Sequence, residues 1–494
     1  MCLILSIFTL IAFHIPFFRH VLSCLEGGFN GMIITTSLAV LMLALNYFFY
    51  YLLLYSGRFV GKCILAFTFI ADAVSLYFIN AYEVLITDKM MGNVFNTQYS
   101  EASGFFSMSA ILYILFLGII PCIYIFRRKV DYGTFRRFLS NVGISLAIAV
   151  SVALVNMKNW PWIDKNATEL GSLLMPWSYT VNSIRFYNSE KKRNQKEIPL
   201  PDAQIETDSR DVCVLIIGES ARRANFSLYG YEKDTNPMLS QDNVTALDAK
   251  AAATYTTAGV KAILDHKPSG KLYEILPNYL YRSGVDVIWR TNNWGEPPVH
   301  IEKFMKAKKL KEMYPDADER YDGILLAGLK EQIMESTAEK IFIVLHTSTS
   351  HGPTYNKKYP AEFEKFTPVC TTVEMSKADP VELMNAYDNT IVYTDYLIHS
   401  VIEILKEMTD RRSCMLYVSD HGESLGEGNL YMHGVPMSVA PAEQIEIPFI
   451  VWTSEDGRKI KDIEEASQYH VFHSVLDHLG VSSPIFDRSK SIFE

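Results

Sequence analysis

Four short stretches of this 494-residue chain carry side chains suited to metal and phosphoryl chemistry. Gly218-Glu219-Ser220 follows the apolar run Val212–Ile217, and Ser419-Asp420-His421-Gly422-Glu423 follows Met415–Val418. His346 and then Ser350-His351-Gly352-Pro353 follow Ile341–Leu345, and Thr256-Thr257-Ala258 enters a helical pattern after the first run. Carboxylate oxygens with an imidazole nitrogen are the donor set of a catalytic Zn²⁺ that keeps a fourth position open. A hydroxyl in that position would be activated: zinc lowers the pKa of bound water from about 15.7 to roughly 7, and a threonine hydroxyl should respond similarly. A threonine at a helix N-terminus also finds backbone N–H groups for phosphoryl oxygens. The chemistry implied is covalent catalysis through a phosphothreonine. One Asp–His pair at a strand end is more often structural than catalytic; three strand ends that all carry ligand-type residues are poorly explained that way.

The elements that must position these residues read as α/β from Asp211 onward. Short apolar runs at Val212–Ile217, Val285–Trp289, Ile341–Leu345, Met415–Val418 and Pro448–Trp452 alternate with helical patterns such as Leu383–Lys406. Buried strands alternating with helices predict a parallel sheet covered on both faces. In such sheets ligands sit beyond the carboxyl ends of the strands, where three of the four stretches fall.

The first third of the chain is of another kind. Residues 1–159 hold 16 of the 101 charged residues and are net +4, while residues 160–494 are net −13. Five segments approach the roughly 20 apolar residues that span a bilayer: Leu3–Phe18, Met32–Tyr55, Cys63–Asn80, Met108–Phe126 and Phe138–Val155. The first is short, has Pro16 near its end, and lacks the basic residues that precede a signal peptide's apolar run. Arg58 and Lys62 lie between spans two and three, and Arg127, Arg128, Lys129, Arg136 and Arg137 between spans four and five; the alternate loops hold only Arg19 and Lys89. That asymmetry orients the basic loops to the cytoplasm and the large C-terminal domain outside, in the periplasm of a Gram-negative cell. Asp72 falls in mid-span, where a carboxylate is costly and marks a candidate functional residue. The acidic remainder argues against nucleic-acid binding, which needs a basic face.

Residues 160–210 read as an interfacial and linking segment. Trp160, Pro161 and Trp162 suit a membrane interface, and Leu173–Tyr187 reads as an amphipathic helix lying in it. A charged run, Glu190–Gln195, and then Pro199 and Pro201 lead to Arg210. The expected organisation is a transmembrane domain over 1–159, a bridge over 160–210, and a catalytic domain over 211–494 that folds alone.

The run from Gly218 to Tyr231, GESARRANFSLYGY, resembles the signature G-E-S/T-x-R-x-x-x-x-S-L-x-G-Y of phosphoethanolamine transferases. These membrane enzymes decorate lipid A, lipopolysaccharide core and related glycans, and they include transferable colistin-resistance enzymes. Asn385-Ala386-Tyr387-Asp388-Asn389-Thr390, Asp420-His421-Gly422-Glu423-Ser424 and Ser350-His351-Gly352-Pro353 are similar to further stretches of that family. The resemblance covers nearly the whole chain. It implies a five-helix membrane domain joined to a periplasmic domain of the alkaline phosphatase–sulfatase fold. It also implies a zinc site of Glu219, Thr257, Asp420 and His421, with Thr257, a Thr followed by Ala, as the nucleophile. His351 and His433 match histidines near the transferred phosphate, which in some relatives approach further zinc ions, and Glu423 lies in the same motif. Asn93, Thr97 and Glu101 match an N-x3-T-x3-E pattern of the phosphoethanolamine pocket, a spacing that puts all three on one helical face. Thr256 is expected to serve only as a helix cap.

The chain departs from that pattern in two places. Ala253–Leu264, around the nucleophile, has no Cys, where the lipid A branch carries a disulfide; Cys2, Cys24, Cys63, Cys122, Cys213, Cys370 and Cys414 suggest no disulfide set. This places the chain closer to the core- or glycan-modifying branch. The family's Lys after its Trp-Arg-x-Asn motif is missing, because Trp289-Arg290-Thr291-Asn292 runs on to Pro297 and Pro298. The implied reaction moves phosphoethanolamine from phosphatidylethanolamine to lipid A, lipopolysaccharide core or another surface glycan, by a monomer in the inner membrane. A phosphoglycerol transferase of the same fold is the alternative. A sulfatase would need a C/S-x-P-x-R sequence after the first strand, which is absent, and a non-enzymatic sensor would not keep all four ligand-type residues.

Overall fold

A computed structural model describes residues 1–25, 28–96, 105, 107–193, 196–454 and 458–494. The chain divides into two compact units, Met1–Asn188 and Ser189–Glu494.

The first unit is helical. Helices α1 (Cys2–Phe13) and α2 (Ile15–Cys24) meet at a 59° bend, and α3 (Phe29–Gly57), α4 (Phe59–Tyr82), α5 (Met108–Arg127) and α6 (Phe135–Val155) are each long and apolar enough to cross a membrane. Among the described residues that makes four such helices, or five if the bent pair is one span. Pro16 causes the bend: it sits in the first turn of α2, offers no N–H and blocks a continuous helix. His14 fills the break, with Nδ1 at 3.0 Å from the carbonyl of Thr9 and Nε2 at 2.9 Å from that of Met175. Apolar side chains face outward all along α6, of whose most apolar stretch only 6% is buried. That inversion of the soluble pattern suits lipid as solvent.

Polar pins hold the segment before and within α7 (Trp177–Arg193) to the bundle. The Trp177 indole N–H donates to Asn46 Oδ1 at 3.2 Å, the Tyr179 hydroxyl to Asp72 Oδ1 at 3.0 Å, and the Asn182 amide to the Ile86 carbonyl at 2.6 Å. Asp72 therefore has a partner that the sequence did not reveal. Leu173 and Met175 lie in the apolar core of the bundle. The segment 173–187, expected to lie as a separate interfacial helix, packs as part of the helical unit.

The second unit is built on an eight-stranded sheet. Its strands are β1 (Asp211–Gly218), β2 (Thr245–Lys250), β3 (Asp286–Thr291), β4 (Lys303–Lys306), β5 (Lys340–His346), β6 (Arg412–Ser419), β7 (Glu446–Thr453) and β8 (Ala466–Ser467). Their order is β8-β2-β7-β6-β1-β5-β3-β4, with β7 antiparallel to both neighbours and the other pairs parallel. The central strands β1 and β5 are buried on both faces, which explains their unbroken apolar runs. Helices α8 (Thr256–Leu264) and α10 (His470–His478) lie against one face, where Val260, Ile263, Phe472 and Val475 join Leu215, Val344 and Leu416 in the core. Helix α9 (Pro380–Lys406) starts at Asp379, whose carboxylate accepts from the N–H groups of Val381 and Glu382.

The division between the units falls inside the expected bridge of 160–210. Residues 160–188 belong to the helical unit and 189–210 to the sheet unit. Leu200 is buried in the sheet unit's core, and Gln204–Ile205 pairs antiparallel with Val481–Ser482.

Candidate active site

The carboxyl ends of β1 and β6, adjacent in the sheet, deliver Glu219 and Asp420-His421 to one spot. All three side chains are buried. His421 Nε2 lies 3.6 Å from Glu219 Oε1 and 3.4 Å from Asp420 Oδ2. Helix α8 adds a fourth donor. Thr256 Oγ1 lies 3.4 Å from Glu219 Oε2 and 3.4 Å from His421 Nε2. Separations near 3.4 Å are those of donors around a tetrahedral zinc with bonds of about 2.0–2.2 Å.

Two further observations fit a cation. Asp420 Oδ2 is buried without a hydrogen-bond partner. Burial pushes the Asp420 carboxyl well above the usual range, aided by the charge of Glu219. Burial also opposes ionisation of Glu219, but His351, His421 and His433 together hold its carboxyl below the usual range. Two buried carboxylates side by side resist joint ionisation unless a cation lies between them. Glu219, Asp420 and His421 form one of three groups of possible metal donors among the described residues.

The cluster is held by its neighbours. The Ser220 N–H donates to Asp420 Oδ1 at 3.0 Å and the Ser220 hydroxyl to Glu219 Oε1 at 2.7 Å. Ser220 accepts a left-handed φ of 52° to do so, a conformation that costs a non-glycine residue roughly 1–2 kcal/mol. The Asn293 amide donates 2.7 Å bonds to Glu219 Oε2 and to the Thr347 carbonyl. Gly259 lets α8 approach: a Cβ there would lie 2.2 Å from the Asp420 carbonyl oxygen.

A second group, His421, Glu423 and His433, shares His421 with the first. The His433 ring centroid is 4.2 Å from that of His421 and 5.6 Å from that of His351. Glu423 Oε2 pairs with His433 Nδ1 at 2.7 Å, and the Tyr355 hydroxyl donates to Glu423 Oε1 at 2.5 Å. Burial pushes the Glu423 carboxyl up to about 7.

Glu219, Asp420, His421, Glu423, His351 and His433 thus converge. Thr257 does not enter the same hydrogen-bonded cluster: it is half-buried, and among the described residues its hydroxyl makes no hydrogen bond to these donors. Thr256, expected to cap the helix, makes no such cap, because the N-cap is Tyr255. The missed signal was Gly259. It stands three residues after Thr256, on the same helical face, so the glycine that lets α8 touch Asp420 also turns Thr256 inward. Asn293 was missed too, although it directly follows the flagged Trp289-Arg290-Thr291-Asn292. Arg290 serves packing, since its buried guanidinium donates to Leu325 and Ala327 carbonyls and to Gln332. In the helical unit Asn93 lies in the helix Asp88–Asn96; Thr97 and Glu101 fall outside the described residues.

Comparison with known proteins bears on the whole chain. Residues 211–481 match the Sulfatase family model, and residues 39–191 match the model Phosphoethanolamine transferase EptA/EptB. Phosphoethanolamine transferase EptA of Helicobacter pylori is 39% identical over 416 residues, 82% of this chain and 79% of the relative. The chain belongs to the phosphoethanolamine transferase family. Phosphatidylethanolamine transferase Mcr-1 of Escherichia coli is 32% identical over 434 residues, 82% of this chain and 80% of that protein. The integral membrane lipooligosaccharide phosphoethanolamine transferase A (EptA) of Neisseria meningitidis superposes with a TM-score of 0.89 at 25% identity, covering 100% of this chain and 97% of that one. The architecture is therefore a membrane helical domain followed by an α/β sulfatase-like domain, and the protein is a transferase. All seven cysteines are thiols in the structure.

Proposed function

We propose that this inner-membrane enzyme transfers phosphoethanolamine from phosphatidylethanolamine to lipid A or lipooligosaccharide in the periplasm, through a covalent ester on Thr256. The observation that carries the reading is the position of Thr256 Oγ1, 3.4 Å from both Glu219 and His421 at the N-terminus of α8. Glu219, Asp420 and His421 would hold a zinc ion with the Thr256 hydroxyl beside it. When bound there, zinc lowers the pKa of that hydroxyl and offsets charge on the phosphoryl oxygens.

Thr256 Oγ gives its proton to a neighbouring imidazole and attacks the phosphorus, and the bond to the diacylglycerol oxygen breaks. The leaving oxygen takes a proton from His433 or His351, whose rings stand beside the donor cluster. Glu423 fixes the orientation of the His433 ring through Nδ1. The N-terminal amides of α8 bind the phosphoryl oxygens. An acceptor oxygen then gives its proton to the same histidine and attacks the phosphorus; the bond from phosphorus to Thr256 Oγ breaks and the histidine returns the proton to that oxygen. Asn93, Thr97 and Glu101 are assigned to donor binding on their match to the family's pattern. The Neisseria meningitidis relative, named a lipooligosaccharide phosphoethanolamine transferase, supports an acceptor of that class, and the name of Mcr-1, a phosphatidylethanolamine transferase, supports the donor.

Trapping the enzyme without acceptor tests the assignment. The phosphoethanolamine ester adds about 123 Da, and fragment spectra should place it on Thr256. Thr256→Ala should abolish adduct and transfer, while Thr257→Ala should keep both. An adduct on Thr257, or normal turnover by Thr256→Ala, overturns it.

A further inference from the structure

The loop after β3 runs Asn293-Trp294-Gly295-Glu296 and closes over the start of α8. Gly295, at a φ of +99°, comes so close that a Cβ there would lie 3.2 Å from Thr256 Cγ2 and 3.4 Å from Thr257 Cγ2. The residues on either side of that contact are an aromatic ring and a carboxylate.

Glu296 has no lysine or arginine at ion-pairing distance among the described residues, and the charge of Lys306 reaches it only from further off. Its side chain is 15% exposed, and Oε2 is shielded from water with no hydrogen bond. The nearby imidazole, His346 Nδ1 at 3.9 Å, belongs to a fully buried ring that burial holds neutral, with its pKa lowered to about 4. No described lysine or arginine forms an ion pair with Glu296. A buried carboxylate without a cation is costly and is expected to recruit one.

The transferred group brings one. Phosphoethanolamine carries a primary ammonium two carbons from its phosphate oxygen. An ester on the α8 threonine would set that ammonium beside the loop that covers the threonine. A carboxylate with an indole face is a recognised way to hold an alkylammonium. We propose that Trp294 and Glu296 form the ammonium subsite that makes this enzyme select phosphoethanolamine over phosphoryl groups with uncharged tails. This rests on the reaction proposed above. It also gives a role to the stretch after Trp289-Arg290-Thr291-Asn292, where the family's expected lysine is missing.

The test uses the zinc-loaded full chain in detergent and two chromogenic donors of matching shape: 2-aminoethyl p-nitrophenyl phosphate and propyl p-nitrophenyl phosphate. The readout is the ratio of their kcat/KM values. The unaltered enzyme should favour the ammonium donor by at least tenfold. Glu296→Gln should collapse that ratio to within about threefold of unity, mainly through a higher KM for the ammonium donor, and Trp294→Leu should lower it. A structural role would depress both donors together and leave the ratio intact, which overturns the proposal. An unaltered enzyme that does not discriminate also overturns it. Should Glu296→Gln be inactive on both donors, Trp294→Leu decides: an unchanged ratio overturns the subsite and a lowered one supports it. Failure of the underlying reaction is separate, because the unaltered enzyme would then turn over neither donor.

Discussion

Buried polar groups serve opposite purposes in the two units. In the sheet unit they converge: Glu219, Asp420, His421, Glu423 and His433 crowd one strand edge, and Asp420 Oδ2 is left without a partner. In the helical unit they disperse into pairs, Thr9 with Tyr50, Asp72 with Tyr179, Asn46 with Trp177 and Asn182 with the Ile86 carbonyl. The difference follows from the solvent. In water, burial of apolar side chains packs the sheet unit, so interior polar groups are free for chemistry. In lipid, apolar packing scarcely distinguishes one helix arrangement from another, so polar pairs help to fix it.

The comparison breaks first, if it breaks, at the metal cluster. Asp420→Ala should lower bound zinc and transfer activity together by at least about a hundredfold, read by elemental analysis and lipid mass spectrometry. Full activity in a metal-free preparation would remove the reason for the convergence. Gly259→Ala should come next, because the new methyl must push α8 off the Asp420 carbonyl. The expected result is a fall in kcat of tenfold or more with only a modest drop in Tm, since the shift displaces Thr256 more than it exposes core.

The division between the units is tested by truncation. A fragment beginning at Ser189 should melt cooperatively. One beginning at Asp211 should be less stable by about 2–5 kcal/mol, the cost of removing a buried leucine such as Leu200 together with the Gln204–Ile205 strand pair. Equal stability would show that residues 189–210 add nothing to the fold of the sheet unit.

Acid provides a milder probe of the sheet unit. Burial holds the folded-state pKa of His346 and of His478 at about 4, against about 6.5 for an unfolded histidine. Between those values the unfolded chain binds more protons than the folded one, so stability rises with pH across the window and falls as pH drops from about 6.5 toward 4. Tm measured across that range should decline steadily; a flat profile would show that the two rings are not held neutral. The smallest effect is expected in the helical unit. Tyr179→Phe leaves both Asp72 oxygens unpaired and should cost about 1–2 kcal/mol in detergent, and less than that would mean the polar pairs are not what fixes the bundle.

Much of this protein was legible before its fold. The apolar segments, the alternation of runs and helices, and the motifs after Ile217, Leu345 and Val418 depend only on local order, and local order survives into the structure because a strand end carries whatever residues follow it. Strands β2 and β4 were not read, since Thr245–Lys250 and Lys303–Lys306 are half-exposed and mostly polar or short. Asp72 was visible as an anomaly, but its partner stands 107 residues away in sequence. The choice between Thr256 and Thr257 was beyond the sequence for a geometric reason. Successive helical residues point about 100° apart, so either could face the donors. Only the packing of Gly259 against the carbonyl of Asp420 sets the rotation of α8 and turns Thr256 inward.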